Sequence, residues 1–302
     1  MGQNGNGDYE YIPRTRLICR SKKNYMAEPS LKFSVITVCY NAADTLEETI
    51  NSVVRQTYGN VEYIIVDGGS TDGTIDIIKR YADKIAYWVS EPDNGMYDAL
   101  VKGFSRATGD VVCWINADDL LYEAAFATVA DFLLQNPEIK WVKGYNVVYN
   151  EVSQITSVDT PIAVSNRLLK KGFYQSVYRM PFIQQESTFW RRELMEDLDI
   201  DRFRSFKLAG DYYLWYTFAK RAQLHFISSY LGGWRRISGQ LSSDLRSYTA
   251  EVNSFTERKT PFDWCCYIVD KMLYSLFRGG SIYRRIYHHK MHVWNVARHR
   301  FM

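Results

Sequence analysis

One run of nine residues constrains this chain more than any other: Val111-Val112-Cys113-Trp114-Ile115-Asn116-Ala117-Asp118-Asp119. Five apolar residues in a row, entered from Gly109-Asp110 and left through a polar cluster, read as a strand buried on both faces. At its carboxyl end the chain presents Asn116, Asp118 and Asp119. In an open α/β sheet, ligands bind in the crevice outside the carboxyl ends of the strands. Two carboxylates there are hard oxygen ligands suited to Mg²⁺ or Mn²⁺ shared with a phosphate. An isolated Ala-Asp-Asp could equally cap the helix that follows.

The preceding segments make that strand one of a series. Phe33–Cys39 reads as a first strand, followed by a helix along Leu46, Ile50, Val53 and Val54, with Asp44 and Glu47 at capping-box spacing. Val61–Val66 is a second strand ending at Asp67, and Gly68-Gly69-Ser70-Thr71-Asp72-Gly73 turns into a second helix. Ile85–Val89 and a helix marked by Met96, Leu100 and Phe104 repeat the pattern, and a helix over about 121–135 stops at Asn136-Pro137. Such alternation implies a parallel sheet with right-handed crossovers. Beyond Ile139 the rhythm breaks into mixed strands and short helices, and from about Asp244 the chain reads as helices to its end.

This divides the chain into a polar extension (1–30), a catalytic domain (31–243, with halves 31–137 and 138–243) and a basic helical region (244–302). No uncharged apolar run reaches transmembrane length, and residues 1–30 lack the apolar core of a signal peptide. Five cysteines, an odd number without a Cys-x-x-Cys pair, point to reduced thiols in a cytoplasmic protein, with Cys39 and Cys113 packed inside strands. Net charge is +3, yet the chain from Lys271 onward carries seven Lys or Arg and no acid, leaving −4 on the remainder. Tyr283, Ile286, Tyr287 and Met291 there follow rough helical spacing between Arg284, Arg285 and Lys290, as in a basic amphipathic helix on an anionic membrane surface; an ordinary packed helix has the same pattern. No nucleic-acid motif accompanies the charge, so nucleic acid is not an expected partner.

Thr37-Val38-Cys39-Tyr40-Asn41, Val66-Asp67-Gly68-Gly69-Ser70-Thr71-Asp72-Gly73, Asp93-Asn94-Gly95-Met96-Tyr97-Asp98-Ala99 and Asn116-Ala117-Asp118-Asp119 together resemble the successive motifs of inverting glycosyltransferase family 2. The resemblance covers about residues 33–242. It implies the type A glycosyltransferase fold: an α/β, Rossmann-like mixed, mostly parallel sheet, here with C-terminal helices. It also implies a nucleotide-sugar donor, a UDP-sugar favoured, held by Thr37, Tyr40, Asn41, Asp67, Asp93, Asn116 and Asp118, with Asp67 accepting a hydrogen bond from the base. Asp118 and Asp119 would hold Mn²⁺ or Mg²⁺, Asn116 standing where the family has the first Asp of its metal motif. Val101 stands where the family usually has Asn. Asp211, in Ala209-Gly210-Asp211-Tyr212, falls on the family's catalytic carboxylate, with Glu186 as the reserve candidate. Gln185, Glu186 and Trp190 match the acceptor-side segment less closely. Arg235 or Arg236 could clamp the diphosphate, in a late motif where Ile237 replaces His.

The expected function is metal-dependent, inverting transfer of one sugar to a hydroxyl of a glycan or lipid-linked glycan in surface polysaccharide synthesis. The protein would be peripheral on the inner face of the membrane. The alternative is a non-catalytic nucleotide-sugar binding module, to which the departures at Val101, Asn116 and Ile237 would also be suited.

Overall fold

A strand apolar at every position needs both its faces covered, and the sheet satisfies this for the central strands. The computed structural model describes residues 30–159, 161–237, 244–277, 280–295, 298 and 300–302. The first half runs β1 (Phe33–Cys39), α1 (Leu46–Val54), β2 (Val61–Asp67), α2 (Thr74–Arg80), β3 (Tyr87–Ser90), α3 (Met96–Phe104), β4 (Val111–Asn116), β5 (Leu120–Leu121) and α4 (Ala125–Gln135). Then follow β6 (Trp141–Lys143), β7 (Val147–Tyr149), β8 (Ile155–Val158), α5 (Asn166–Lys170), β9 (Thr188–Arg191), α6 (Ile200–Ser205), α7 (Gly210–Phe218), β10 (Leu224–Ile227) and β11 (Gly232–Arg235). The chain closes with α8 (Leu245–Phe255), α9 (Pro261–Phe277), α10 (Ser281–Ile286) and short strands β12 (Met291–His292), β13 (Trp294–Asn295) and β14 (Arg300–Phe301).

Eight strands form the main sheet in the order β12-β10-β6-β9-β4-β1-β2-β3. Every pairing is parallel except the two made by β9, so the sheet is mostly parallel, as expected. Alternate residues of β4 enter the two cores. Val111, Cys113 and Ile115 pack with α1 and α4, while Val112 and Trp114 face α3 and α7. The register aligns Cys39 with Asp67, Asp67 with Ser90, and Val38 with Asn116, so these strand ends share one edge. Lys143 closes β6 opposite Thr188, the first residue of antiparallel β9, which brings the turn at Gln185–Ser187 to that same edge. A second sheet, β5-β11-β7-β8, lies beyond it and pairs Gly233 with Leu120.

Several expectations are corrected here. Residues 244–302 are no separate helical region: Leu31–Met302 is one compact unit, and β12 extends the main sheet through β10. Val252, Phe255, Tyr267, Tyr283 and Met291 all enter the shared core, and the chain ends in strands rather than helix. Of the four residues expected on a membrane face, Tyr283 and Met291 therefore point inward and Tyr287 is half-buried, while Ile286 is exposed. The Tyr283 hydroxyl accepts from the Ala163 N–H (3.2 Å), and Tyr287 donates to Asp270 (2.8 Å). The Asp44–Glu47 capping box is absent, because α1 starts at Leu46 with no side-chain cap. The expected extension 1–30 lies, except for Ser30, outside the described residues, as do Ser238–Ser242 of the late motif.

Candidate active site

The edge carries two groups of polar side chains. The first surrounds Asp67. Its buried carboxylate accepts from Ser70 Oγ (2.5 Å), Ser70 N (2.9 Å), Gly69 N (3.1 Å) and Ser90 Oγ (2.6 Å). Burial pushes its pKa up, but the hydrogen bonds from Ser70 and Ser90 outweigh this and hold it below the ordinary value. Asn41, in the left-handed region at φ 48°, stitches the same loop: its N–H donates to Ser70 Oγ (2.7 Å) and its side-chain oxygen accepts from Thr71 N (2.9 Å). Thr37 lies within β1, fully buried, its hydroxyl paired with that of Tyr63 (3.0 Å).

These three residues were expected to touch the nucleoside. Thr37 and Asp67 are buried and hydrogen-bonded within the core and loop, whereas Asn41 braces the loop and is itself exposed. Beside Asn41, the loop offers to the outside Tyr40, 67% exposed, and half-buried Asp93. Both converge on Gly68, where an added Cβ would come 2.7 Å from Asp93 Oδ2 and 3.4 Å from the Tyr40 ring. A larger residue there would have to displace the Asp93 carboxylate. Asp98, one turn into α3, is tied to Arg204 (3.2 Å), and Val101 is a core residue.

The second group follows β4. Asn116 Nδ2 donates to Asp119 Oδ2 (3.1 Å), and the Arg235 backbone N–H donates to Asp119 Oδ1 (2.8 Å). The Arg235 guanidinium reaches Asp118 O (2.7 Å), Ser153 Oγ (2.8 Å) and Glu48 Oε2 (2.6 Å) while only 2% of the residue is exposed. Arg235 therefore braces the Asp118-Asp119 turn from within and is not a diphosphate clamp. Arg236 is exposed, its guanidinium 5.2 Å from the Trp234 ring centroid.

Asp119 is wholly buried, and the Glu186 carboxyl that influences it electrostatically is buried too. Burial, with the charges of Glu186 and Asp118, pushes Asp119 well above the carboxylate range; burial also raises Glu186. Both Asp119 oxygens already accept hydrogen bonds within the protein, from Asn116 Nδ2 and the Arg235 N–H, so the residue braces the turn. Asp118, the other carboxylate of the metal motif, is half-buried. The Asn116 Oδ1 atom beside it in sequence is buried with no hydrogen-bond partner. One carboxylate and an amide oxygen suit a Mg²⁺-like ion that takes its remaining ligands from phosphates and water. The donor set fits a cation held jointly with the donor, although the described residues contain no cluster of three or more metal-ligating side chains.

Across from this turn stands Asp211. It is the second residue of α7 rather than its cap; Ala209 holds the cap position with no side-chain bond. Burial lifts its pKa to about 7, against the hydrogen bonds from Tyr212 N (2.6 Å) and Tyr248 Oη (3.2 Å), and the Glu186 charge adds to the rise. Asp118, Asp119, Glu186 and Asp211 thus form one electrostatically linked row. Gly210 packs on the Tyr97 ring so closely that no side chain fits.

Of the acceptor-side residues, Gln185 donates to Glu186 Oε1 (2.5 Å) and is buried. Trp190 is a correction: it is fully buried, edge-on to Trp114 (5.9 Å) and Trp215 (5.7 Å), and packs the core. Sequence reasoning missed Tyr248, which lies outside every motif. It also missed Lys143, a buried cation donating to Asn146 Oδ1 (2.6 Å), whose pKa burial lowers to about 8. A lone Lys closing the apolar Trp141-Val142 pair was the available signal.

A mostly parallel sheet with acidic side chains gathered at its carboxyl edge defines the type A glycosyltransferase fold. The sequence profile of glycosyl transferase family 2 matches residues 34–199, more than half the chain, and the chain belongs to that family. It is similar to an uncharacterised glycosyltransferase of Rickettsia typhi, 27% identical over 237 residues, 75% of this chain and 72% of that one. A PGL/p-HBAD biosynthesis glycosyltransferase of Mycobacterium bovis is 41% identical over 112 residues, 36% of this chain. The chain spans only 43% of that relative's length, and 33% of an uncharacterised Mycobacterium tuberculosis glycosyltransferase. Among solved structures, residues 1–349 of Staphylococcus aureus TarS with UDP-GlcNAc superpose with TM-score 0.58 at 18% identity, covering 77% of this chain and 69% of that TarS fragment. A Pyrobaculum calidifontis mannosyltransferase with GDP-Man and Mn²⁺ superposes with TM-score 0.54 at 20% identity, covering 83% and 72%. Both likenesses are of fold.

Proposed function

We propose that the protein transfers one sugar, with inversion, from a nucleotide-diphosphate sugar to a hydroxyl of a glycan or lipid-linked glycan at the inner face of a membrane. The observation that carries this is Asp211: a carboxylate with a pKa of about 7, linked through Glu186 to the Asp118-Asp119 turn. A base poised near neutral pH accepts a proton efficiently without being permanently protonated.

In this reading Asp211 takes the acceptor hydroxyl's proton as that oxygen bonds to the anomeric carbon. The bond from that carbon to the diphosphate oxygen breaks, and its electron pair leaves with the nucleoside diphosphate. Tyr248 and the Tyr212 N–H orient the carboxylate through hydrogen bonds at 3.2 and 2.6 Å. Exposed Tyr40 and half-buried Asp93 flank the nucleotide, a UDP-sugar being favoured by the family resemblance. Mn²⁺ or Mg²⁺, held at Asp118, would supply positive charge to the departing diphosphate. Asp119, Glu186 and Arg235 keep the Asp118 turn in place.

The test is a screen of purified protein against nucleotide sugars, scoring release of nucleoside diphosphate with and without chelator. Release that needs a divalent cation and disappears in Asp211→Asn is expected. Undiminished turnover in chelator would remove the metal from the mechanism.

A further inference from the structure

Helix α9 buries two acids on its inner face, where Cys266, Leu273, Tyr274 and Phe277 also pack against the core, and still presents a broad apolar face outward. Its buried positions are Asp263, Tyr267 and Asp270, spaced along one face. Asp263 is fully buried against Arg167 (2.6 Å), and Asp270 accepts from Tyr174 Oη (3.2 Å) and Tyr287 Oη (2.8 Å). The opposite face carries Phe262, Trp264, Ile268, Val269, Met272 and Leu276, each between 41% and 70% exposed. None of the helix's nine exposed positions is charged. Neighbouring α10 continues the surface with Ile282 and Ile286, 54% and 45% exposed, and exposed Arg285 between them. A water-facing helix instead turns charged and polar residues outward. A contiguous apolar ridge of this kind marks an interaction surface.

The charge around the ridge selects the occupant. Exposed Arg258 precedes α9, and Arg284 and Arg285 lie on α10. The only acids of α9 are turned inward, and no Asp or Glu follows Asp270. Exposed Glu257 is paired with Lys171 (3.1 Å). A second copy of the chain seated on this ridge would set cation against cation, whereas an anionic lipid surface would pair them while receiving the apolar side chains. A recess of about 370 Å³ beside α9, lined by Leu168, Phe262, Cys265, Val269 and Tyr287 with Asp270 and Lys290 at its polar part, adjoins this surface.

We infer that the outward face of α9, with Ile282, Ile286 and the arginines of α10, is the surface through which the protein docks on anionic lipid bilayers. This deepens the proposed function by naming where the enzyme meets the membrane, and it moves that contact away from the inward-facing Tyr283 and Met291.

The experiment is co-sedimentation of the full chain with vesicles of phosphatidylglycerol and phosphatidylcholine, or phosphatidylcholine alone, in the absence of donor and acceptor. It therefore succeeds or fails independently of the transfer reaction. Expected are binding to the anionic vesicles, weakening in high salt, and a loss of at least about tenfold in Ile268→Gln/Met272→Gln, whose side chains contribute apolar area only when buried. Both side chains are exposed, so the native circular dichroism spectrum should survive the change. A parallel variant, Arg284→Gln/Arg285→Gln, should lose the salt-sensitive part of binding. Equal binding by wild type and the Ile268/Met272 variant would overturn the inference, as would no binding by wild type. A wild-type dimer in sedimentation that the same variant dissociates, without vesicle binding, would assign the ridge to self-association instead.

Discussion

Asp211→Asn separates catalysis from stability, and the two should move in opposite directions. The carboxyl is raised from its ordinary 3.8 to about 7 because burial penalises its charged form. Between these values the folded protein keeps a proton that the unfolded chain has released. The native state then binds more protons than the unfolded state, so stability falls as pH rises through this window. At 1.36 kcal/mol per pKa unit the full rise is worth about 4 kcal/mol, and the residue's partial exposure discounts this to about 2–4. Asparagine carries no charge and can still accept from Tyr212 N–H and Tyr248 Oη, so it removes the penalty and keeps the geometry.

The variant should therefore be more stable than wild type at pH 8, by about 2–4 kcal/mol in urea unfolding, and nearly equal at pH 4. Its transfer rate should drop by roughly 10²–10⁴-fold, since the amide cannot take the proton. Wild-type kcat/KM should fall about tenfold for each pH unit below the carboxyl's pKa near 7. A variant that keeps wild-type turnover would refute the assignment. If Glu186→Gln were dead in the same assay, the base would lie at Glu186. A variant stability difference that does not change between pH 4 and 8 would refute the raised pKa.

The Asp118-Asp119 turn yields a second contrast. Asp118→Asn should abolish metal-dependent turnover with an unchanged unfolding midpoint. Asp119→Asn should keep most activity, because its amide can still accept from the Arg235 N–H; activity lost without loss of stability would restore Asp119 as a ligand. Asp119→Ala should instead destabilise by about 2–5 kcal/mol, since two buried donors, Arg235 N and Asn116 Nδ2, lose their acceptor. For Gly210→Ala, a helix-propensity gain of about 1 kcal/mol competes with an overpacking cost of about 1–3 where the new Cβ meets the Tyr97 ring. The clash should win, lowering both melting temperature and turnover; a rise in melting temperature would refute the close packing.

What the sequence made legible was what repeats along one dimension. The apolar runs of β1, β2 and β4 reported a sheet covered on both faces, and their polar termini reported the edge where the acidic side chains gather. Periodicity could not say which way a short helix turns: Tyr283 and Met291 have amphipathic spacing, but the buried hydroxyl bond from Ala163 to Tyr283 points that face inward. Nor could a motif show how its own polar atoms are used. Asp67 and Asp119 stand in the expected places, yet loop hydroxyls saturate one, and the Arg235 N–H and the Asn116 amide occupy the other. The partners that settle these outcomes come from distant segments with no signal of their own. Arg235 reaches Asp118 across 117 residues and Tyr248 reaches Asp211 across 37, because only folding puts β11 beside the β4 turn and α8 beside α7. Side chains that keep some solvent access, here exposed Tyr40 and half-buried Asp93, Asp118 and Asp211, are the ones able to meet a ligand. A motif residue buried and fully engaged shapes the site without touching what binds there.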